Sequence, residues 1–122
     1  MNKAQALNDF WSSFGIPAYE QNSVPDGAKL PYITYETSTD SIENVLMLNA
    51  SLWYMSTSWE EISQKADEIA RYLYEQNPIS KKIDGGRIYI SKGTPFAQRM
   101  SDTDDRIRRI VLSIQVEYFT AY

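Results

Sequence analysis

The run from Arg106 to Phe119, RIRRIVLSIQVEYF, constrains the fold more than any other stretch of the chain. Its even positions Ile110, Leu112, Ile114, Val116 and Tyr118 are apolar. Between them Arg109, Ser113, Gln115 and Glu117 are polar, with Val111 the exception. Successive side chains of a strand point to opposite faces, so the pattern predicts a long strand with one face on a core and the other toward water or a partner. Such a strand needs neighbours on either side and a layer over its apolar face.

Two segments have the spacing to supply that layer. Leu7, Phe10, Trp11 and Phe14 fall at i, i+3, i+4 and i+7, predicting an amphipathic helix over about 3–14 that Gly15 and Pro17 bring to a stop. Its aromatic stripe fits a core-docking face, with a partner-facing patch as the alternative. Ser58 to Gln76 carries a second stripe, Ile62, Ala66, Ile69 and Leu73, opened by a Ser58–Glu61 capping-box pattern and closed by Asn77-Pro78. Glu60, Glu61, Lys65, Asp67, Glu68 and Glu75 read as its solvated face.

The neighbouring strands come from three places. After a turn-rich loop over 20–31, Tyr32 to Thr37 alternates with Ile33 and Tyr35 on one face, and Thr37–Ser41 reads as a turn. Ile42 to Met55 is a second long strand, with Ile42, Leu46, Leu48, Ala50, Leu52 and Tyr54 on one face, interrupted by Asn44. Its other face, Val45, Met47, Asn49, Ser51, Trp53 and Met55, is too apolar for a solvated surface and too polar for a second core. A covering helix and a subunit contact are the two readings of that face. Gly85-Gly86 reads as a hairpin turn feeding a short strand with Ile88 and Ile90 inward, and Lys92 to Asp105 reads as a loop. The expected architecture is a single α+β domain over 1–122. It has one mainly antiparallel sheet of about four strands, in chain order α-β-β-α-β-β, with two helices packed on it.

The chemistry open to such a chain is narrow. With no Cys and no His among 122 residues, thiol nucleophiles, disulfides, the usual zinc ligands and the usual general base are excluded, and the expectation is a protein that is not an enzyme and uses no cofactor. A formal charge of −4 argues against nucleic acid as a partner, since a binder needs a basic surface to displace counterions. No apolar run has the length of a membrane span or a signal-peptide core, so no membrane partner is expected. Asp102, Asp104 and Asp105 are spaced like hard-cation ligands, but the twelfth position counted from Asp102 is Ser113 where a calcium loop requires Glu, so a solvated turn is the reading and no metal is expected. Gly85-Gly86 lacks the Lys-Ser/Thr of a phosphate loop.

Lys92, Arg99, Arg106, Arg108 and Arg109 form the only basic concentration. Arg106 and Arg108 have the parity of the core face, so they must lie beyond its edge, pairing with the nearby aspartates or meeting a neighbour. The candidate interface residues are Met47, Trp53, Met55, Arg99, Asp102, Asp105, Arg106 and Arg108.

The succession of features resembles the small tail terminator or tail-completion proteins of long-tailed bacteriophages. An opening amphipathic helix is followed by the strand entry Leu30-Pro31-Tyr32-Ile33-Thr34-Tyr35, a long strand into Ser58-Trp59-Glu60-Glu61, a two-glycine turn, and a loop into Asp105-Arg106 with a closing strand ending Val116-Glu117-Tyr118. The resemblance implies a structural virion protein, assembled in the bacterial cytoplasm and resident in the tail. There it forms a ring of identical copies, commonly six, on the finished tail tube. Its implied partners are itself, the major tail tube protein and the head-tail connector. A head-closure adaptor of the same particle and a small-ligand-binding module are the alternatives.

Overall fold

The computed structural model describes residues 1–38 and 45–121. Ile42 and Asn44 of the expected long strand, and residues 39–41 of the expected turn, lie outside them. In chain order the elements are helix α1 (Lys3–Trp11), a 3-10 turn (Ser12–Phe14), β1 (Ala18–Glu20), β2 (Tyr32–Tyr35), β3 (Leu46–Met55), helix α2 (Glu60–Glu75), β4 (Ile79–Ile83), β5 (Gly86–Met100) and β6 (Ile107–Thr120).

The strands form one sheet in the order β1-β2-β3-β6-β5-β4, curled into a half-barrel. β1 pairs parallel with β2, and every other neighbour is antiparallel. The expectation of a mainly antiparallel sheet of about four strands in the order α-β-β-α-β-β is therefore corrected to a mixed sheet of six in the order α-β-β-β-α-β-β-β. The additional strands are the two edges. β1 has three residues, too few for alternation to register. In β4 the apolar signal is only Ile79 and Ile83, separated by Ser80, Lys81 and Lys82.

The central strands follow the alternation of their sequences. Leu48, Ala50, Leu52 and Tyr54 of β3 face the same way as Ile110, Leu112, Ile114, Val116 and Tyr118 of β6, and all are buried in one core. Ile33 and Tyr35 of β2 and Ile88 and Ile90 of β5 extend that core sideways. Both helices cover it from the same side: α1 through Ala6, Leu7, Phe10 and Trp11, and α2 through Ile62, Ala66, Ile69 and Leu73.

α1 also packs against both edge strands, β1 and β4, which lie at opposite ends of the sheet. Asn8 Nδ2 donates to the Tyr35 hydroxyl at 2.8 Å, and Lys81 Nζ of β4 pairs with Asp9 at 2.7 Å. The helix starts on a complete capping box, in which the Asn2 side chain accepts from the Gln5 N–H and the Gln5 side chain accepts from the Asn2 N–H. It ends through the 3-10 turn at Gly15, whose φ of 84° suits glycine. The capping box expected at α2 does not form. Trp59 is the N-cap and makes no side-chain cap, because Ser58 Oγ accepts instead from the Glu60 N–H at 3.1 Å.

The segment expected as a loop over Lys92 to Asp105 is strand as far as Met100. Lys92 pairs with Ile114 and Ala97 with Leu112, so the four residues Gly93–Phe96 stand opposite Ser113 alone. This bulge adds an odd number of residues and exchanges the faces. Even positions of β5 face the core before it, whereas Arg99 pairs with Ile110 on the core side after it. Pro95 sits within the bulge, where a strand tolerates a missing N–H.

The turn before β5 lies one residue earlier than the expected Gly85-Gly86, at Asp84-Gly85, and Gly86 is already the first residue of the strand. Ile83 pairs with Gly86 across Asp84 and Gly85, and Gly85 has φ of 81°. At Gly86 a β-carbon would lie 1.7 Å from the Phe119 carbonyl oxygen. Gly86→Ala must therefore part β5 from β6 there, and the expected loss is about 1–3 kcal/mol, typical of overpacking. Urea unfolding checks it: the midpoint falls while the slope is retained.

Candidate functional site: the uncovered sheet face

Because both helices lie on one side, the other side of the sheet is left bare among the described residues. A helix covering the second face of β3, one of the two readings of its sequence, is thereby overturned. The bare face is built by alternate residues of four strands: Tyr32 and Thr34 of β2; Met47, Asn49, Ser51, Trp53 and Met55 of β3; Arg109 to Phe119, odd positions, of β6; and Tyr89, Ser91, Gln98 and Met100 of β5.

Much of this face is apolar and open. Met47 is 48% exposed, Met55 61%, Met100 40% and Phe119 59%. Phe119 meets Tyr89 edge-on at 5.3 Å between ring centres, and Tyr19 meets Tyr32 in the same manner at 5.7 Å. Gly93 brings the bulge against this surface: a β-carbon there would stand 2.8 Å from Met47 Cε and 2.7 Å from the Ser113 carbonyl oxygen.

The centre is a fixed polar network. Trp53 Nε1 donates to Thr34 Oγ1 at 2.9 Å, anchoring the indole. The Arg109 guanidinium lies over that indole, 4.7 Å from the ring centre, and its Nε donates to Ser51 Oγ at 3.1 Å. Ser51 is itself buried. Ser113 Oγ donates to Asn49 Oδ1 at 2.8 Å, and the Asn49 N–H donates to Glu36 Oε1 at 2.7 Å. Thr34, Glu36, Asn49, Ser51, Trp53 and Arg109 line a depression of about 470 Å³, together with Gln21 and Val24. A second depression, of about 650 Å³, lies between Trp53, Met55, Lys29 and Asp102, and a third, of about 330 Å³, lies beside Tyr89, Glu117 and Phe119. The face offers hydrogen bonds, two opposite charges and apolar surface, the means of binding.

The expected interface residues fall into three groups. Met47, Trp53 and Met55 lie on the bare face. Arg99 and Arg108 lie on the helix-bearing side and both stack on Trp59 at the start of α2, 4.9 and 5.2 Å from its ring centre. Arg108 also donates to the Thr57 and Asp105 carbonyls, both at 2.8 Å, and Arg99 donates to Ser63 Oγ at 3.4 Å. Asp102, Asp105 and Arg106 belong to the turn between β5 and β6. There the Asp102 carboxylate accepts from the Asp104 N–H, and Asp104 accepts two side-chain hydrogen bonds and one backbone hydrogen bond from Arg106. The turn is thus closed by its own charges. Arg109, Thr34, Ser51, Glu36 and Phe119 were not among the expected residues. The signal for Arg109 was its parity, which places it opposite Trp53.

Comparison with known proteins finds no family model that matches the chain and no curated protein similar to it in sequence.

The side-chain hydrogen bonds from Arg106, with its backbone bond, hold the Asp104 carboxyl at about 2, below its ordinary 3.8. Ionised Asp104 therefore favours the fold above pH 3.8, and that contribution disappears as pH falls through about 2. Carboxyl-detected NMR titration is expected to give this midpoint in the native protein and a higher one, still below 3.8, in Arg106→Gln, which loses the side-chain bonds and keeps the backbone one.

Proposed function

We propose that the chain is a structural virion protein of the tail terminator type, forming a ring of identical copies that caps a phage tail tube and joins it to the head. The observation that carries this reading is the bare sheet face with Met47, Met55, Met100 and Phe119 exposed on it. Large apolar side chains left open around a fixed polar centre are the composition of a protein contact. Arginine and tryptophan at its centre are the residue types that dominate binding energy at interfaces. Helix α2 packs behind β3, β5 and β6 and α1 behind the two edge strands, so the face is backed by a layer suited to repeated docking.

A ring follows when one patch of each copy meets a different patch of the next and the rotation closes. The succession of elements that resembles the tail terminators supports that geometry and supplies the tube and connector as the flanking partners. The chemistry is that of shape and surface, in keeping with a chain without His or Cys.

Native mass spectrometry of the purified protein, alone and with tube protein, is expected to show a closed oligomer of fixed copy number; monomer alone under both conditions refutes the reading. In Met47→Asp/Met55→Asp the oligomer is expected to dissociate while unfolding stability stays within about 0.5 kcal/mol of the parent for each exposed substitution.

A further inference from the structure

The reading above leaves open which surface of one copy meets the bare face of the next. Two features identify it. At the centre of the face, Arg109 is held by Ser51 through its Nε and by stacking on Trp53, and it lines the depression that Glu36 also lines. Arg109 and Glu36 form no ion pair with each other. The depression therefore carries one positive and one negative group in its lining, each held by a hydrogen bond to β3.

The second feature is on α2. Asp67, Arg71 and Glu75 are spaced by four residues, a line of acid, base and acid about 6 Å apart along the helix. At 100° per residue this line lies opposite the buried stripe Ile62, Ala66, Ile69 and Leu73, so it points away from the sheet. All three residues are exposed, and none joins an ion pair with another described residue. The exposed ring of Tyr74 flanks the line. The chain thus carries a positive-negative pair on one side and an alternating line of the complementary signs on the other.

Resting on the ring reading, we propose that the contact between copies seats the α2 line Asp67–Arg71–Glu75 of one copy in the Arg109–Glu36 depression of the next. An acid of the line receives the Arg109 fork, and Arg71 meets the free oxygen of Glu36. A guanidinium fixed by stacking is suited to a two-point bond with a carboxylate. The apolar surround of Trp53 and Met55 excludes water from the pair, and the contact is head-to-tail, as a ring requires.

Charge exchange tests it, with native mass spectrometry for assembly and circular dichroism for folding. Arg109→Glu, and separately Asp67→Lys/Glu75→Lys, are each expected to weaken self-association at least about tenfold, the effect of breaking a desolvated charge pair. Combining all three substitutions in one chain is expected to restore the oligomer. If Arg109→Glu does not fold, Glu36→Lys with Arg71→Glu reads the same contact from the opposite charges. Full-strength oligomers in the unrescued variants, or no recovery in the combined one, overturn this contact while leaving the ring reading intact. A parent protein that is only monomeric overturns both.

Discussion

The packing of α1 between the two margins of the sheet is the constraint on which the rest of the molecule depends. β1 and β4 are separated by four strands, yet the same nine-residue helix packs against both. Leu7, Phe10 and Trp11 are buried almost completely, so the apolar surface they remove from water favours curling the sheet around them. The Lys81–Asp9 pair and the Asn8–Tyr35 bond sit on opposite flanks of the helix and fix its position. α2 then covers what α1 leaves open, toward β3, β5 and β6.

Committing both helices to one side has a direct cost. The opposite face of the longest strands is left without a layer, and it is neither fully polar nor flat. The polar centre holds its side chains in place: Trp53 is tied to Thr34, Arg109 to Ser51 and Trp53, and Ser113 to Asn49. Around it the methionines supply adaptable apolar contact. A surface so arranged loses little freedom when a partner settles on it.

How much of this was legible in the sequence depended on whether a residue's parity persisted. Across β3 and β6 it does, so the core residues and the placement of Met47, Trp53 and Met55 together on the opposite face could be read directly, though not that no helix covers that face. In β5 the bulge at Gly93–Phe96 exchanges the faces, and Ala97–Met100 are exposed, so no alternation survived to show that the segment is a strand. β1 was hidden because its pairing depends on the distant β2, which no local pattern encodes. The arginines were harder. Parity sets the adjacent Arg108 and Arg109 on opposite faces, but that one stacks on Trp59 and the other on Trp53 follows only from the elements that the fold brings beside them.

The bulge has a further implication for how such a chain can change over generations. An inserted or deleted residue within β3 or β6 would rotate Met47 or Arg109 into the core and Leu52 or Ile114 out of it, and would be eliminated. Opposite Ser113 the ladder is already out of step, so a gain or loss of chain there exchanges the faces only of Ala97–Met100, which are exposed, and leaves the core in place. Descendants of this fold should accordingly differ in length at that point, whatever surface they come to present.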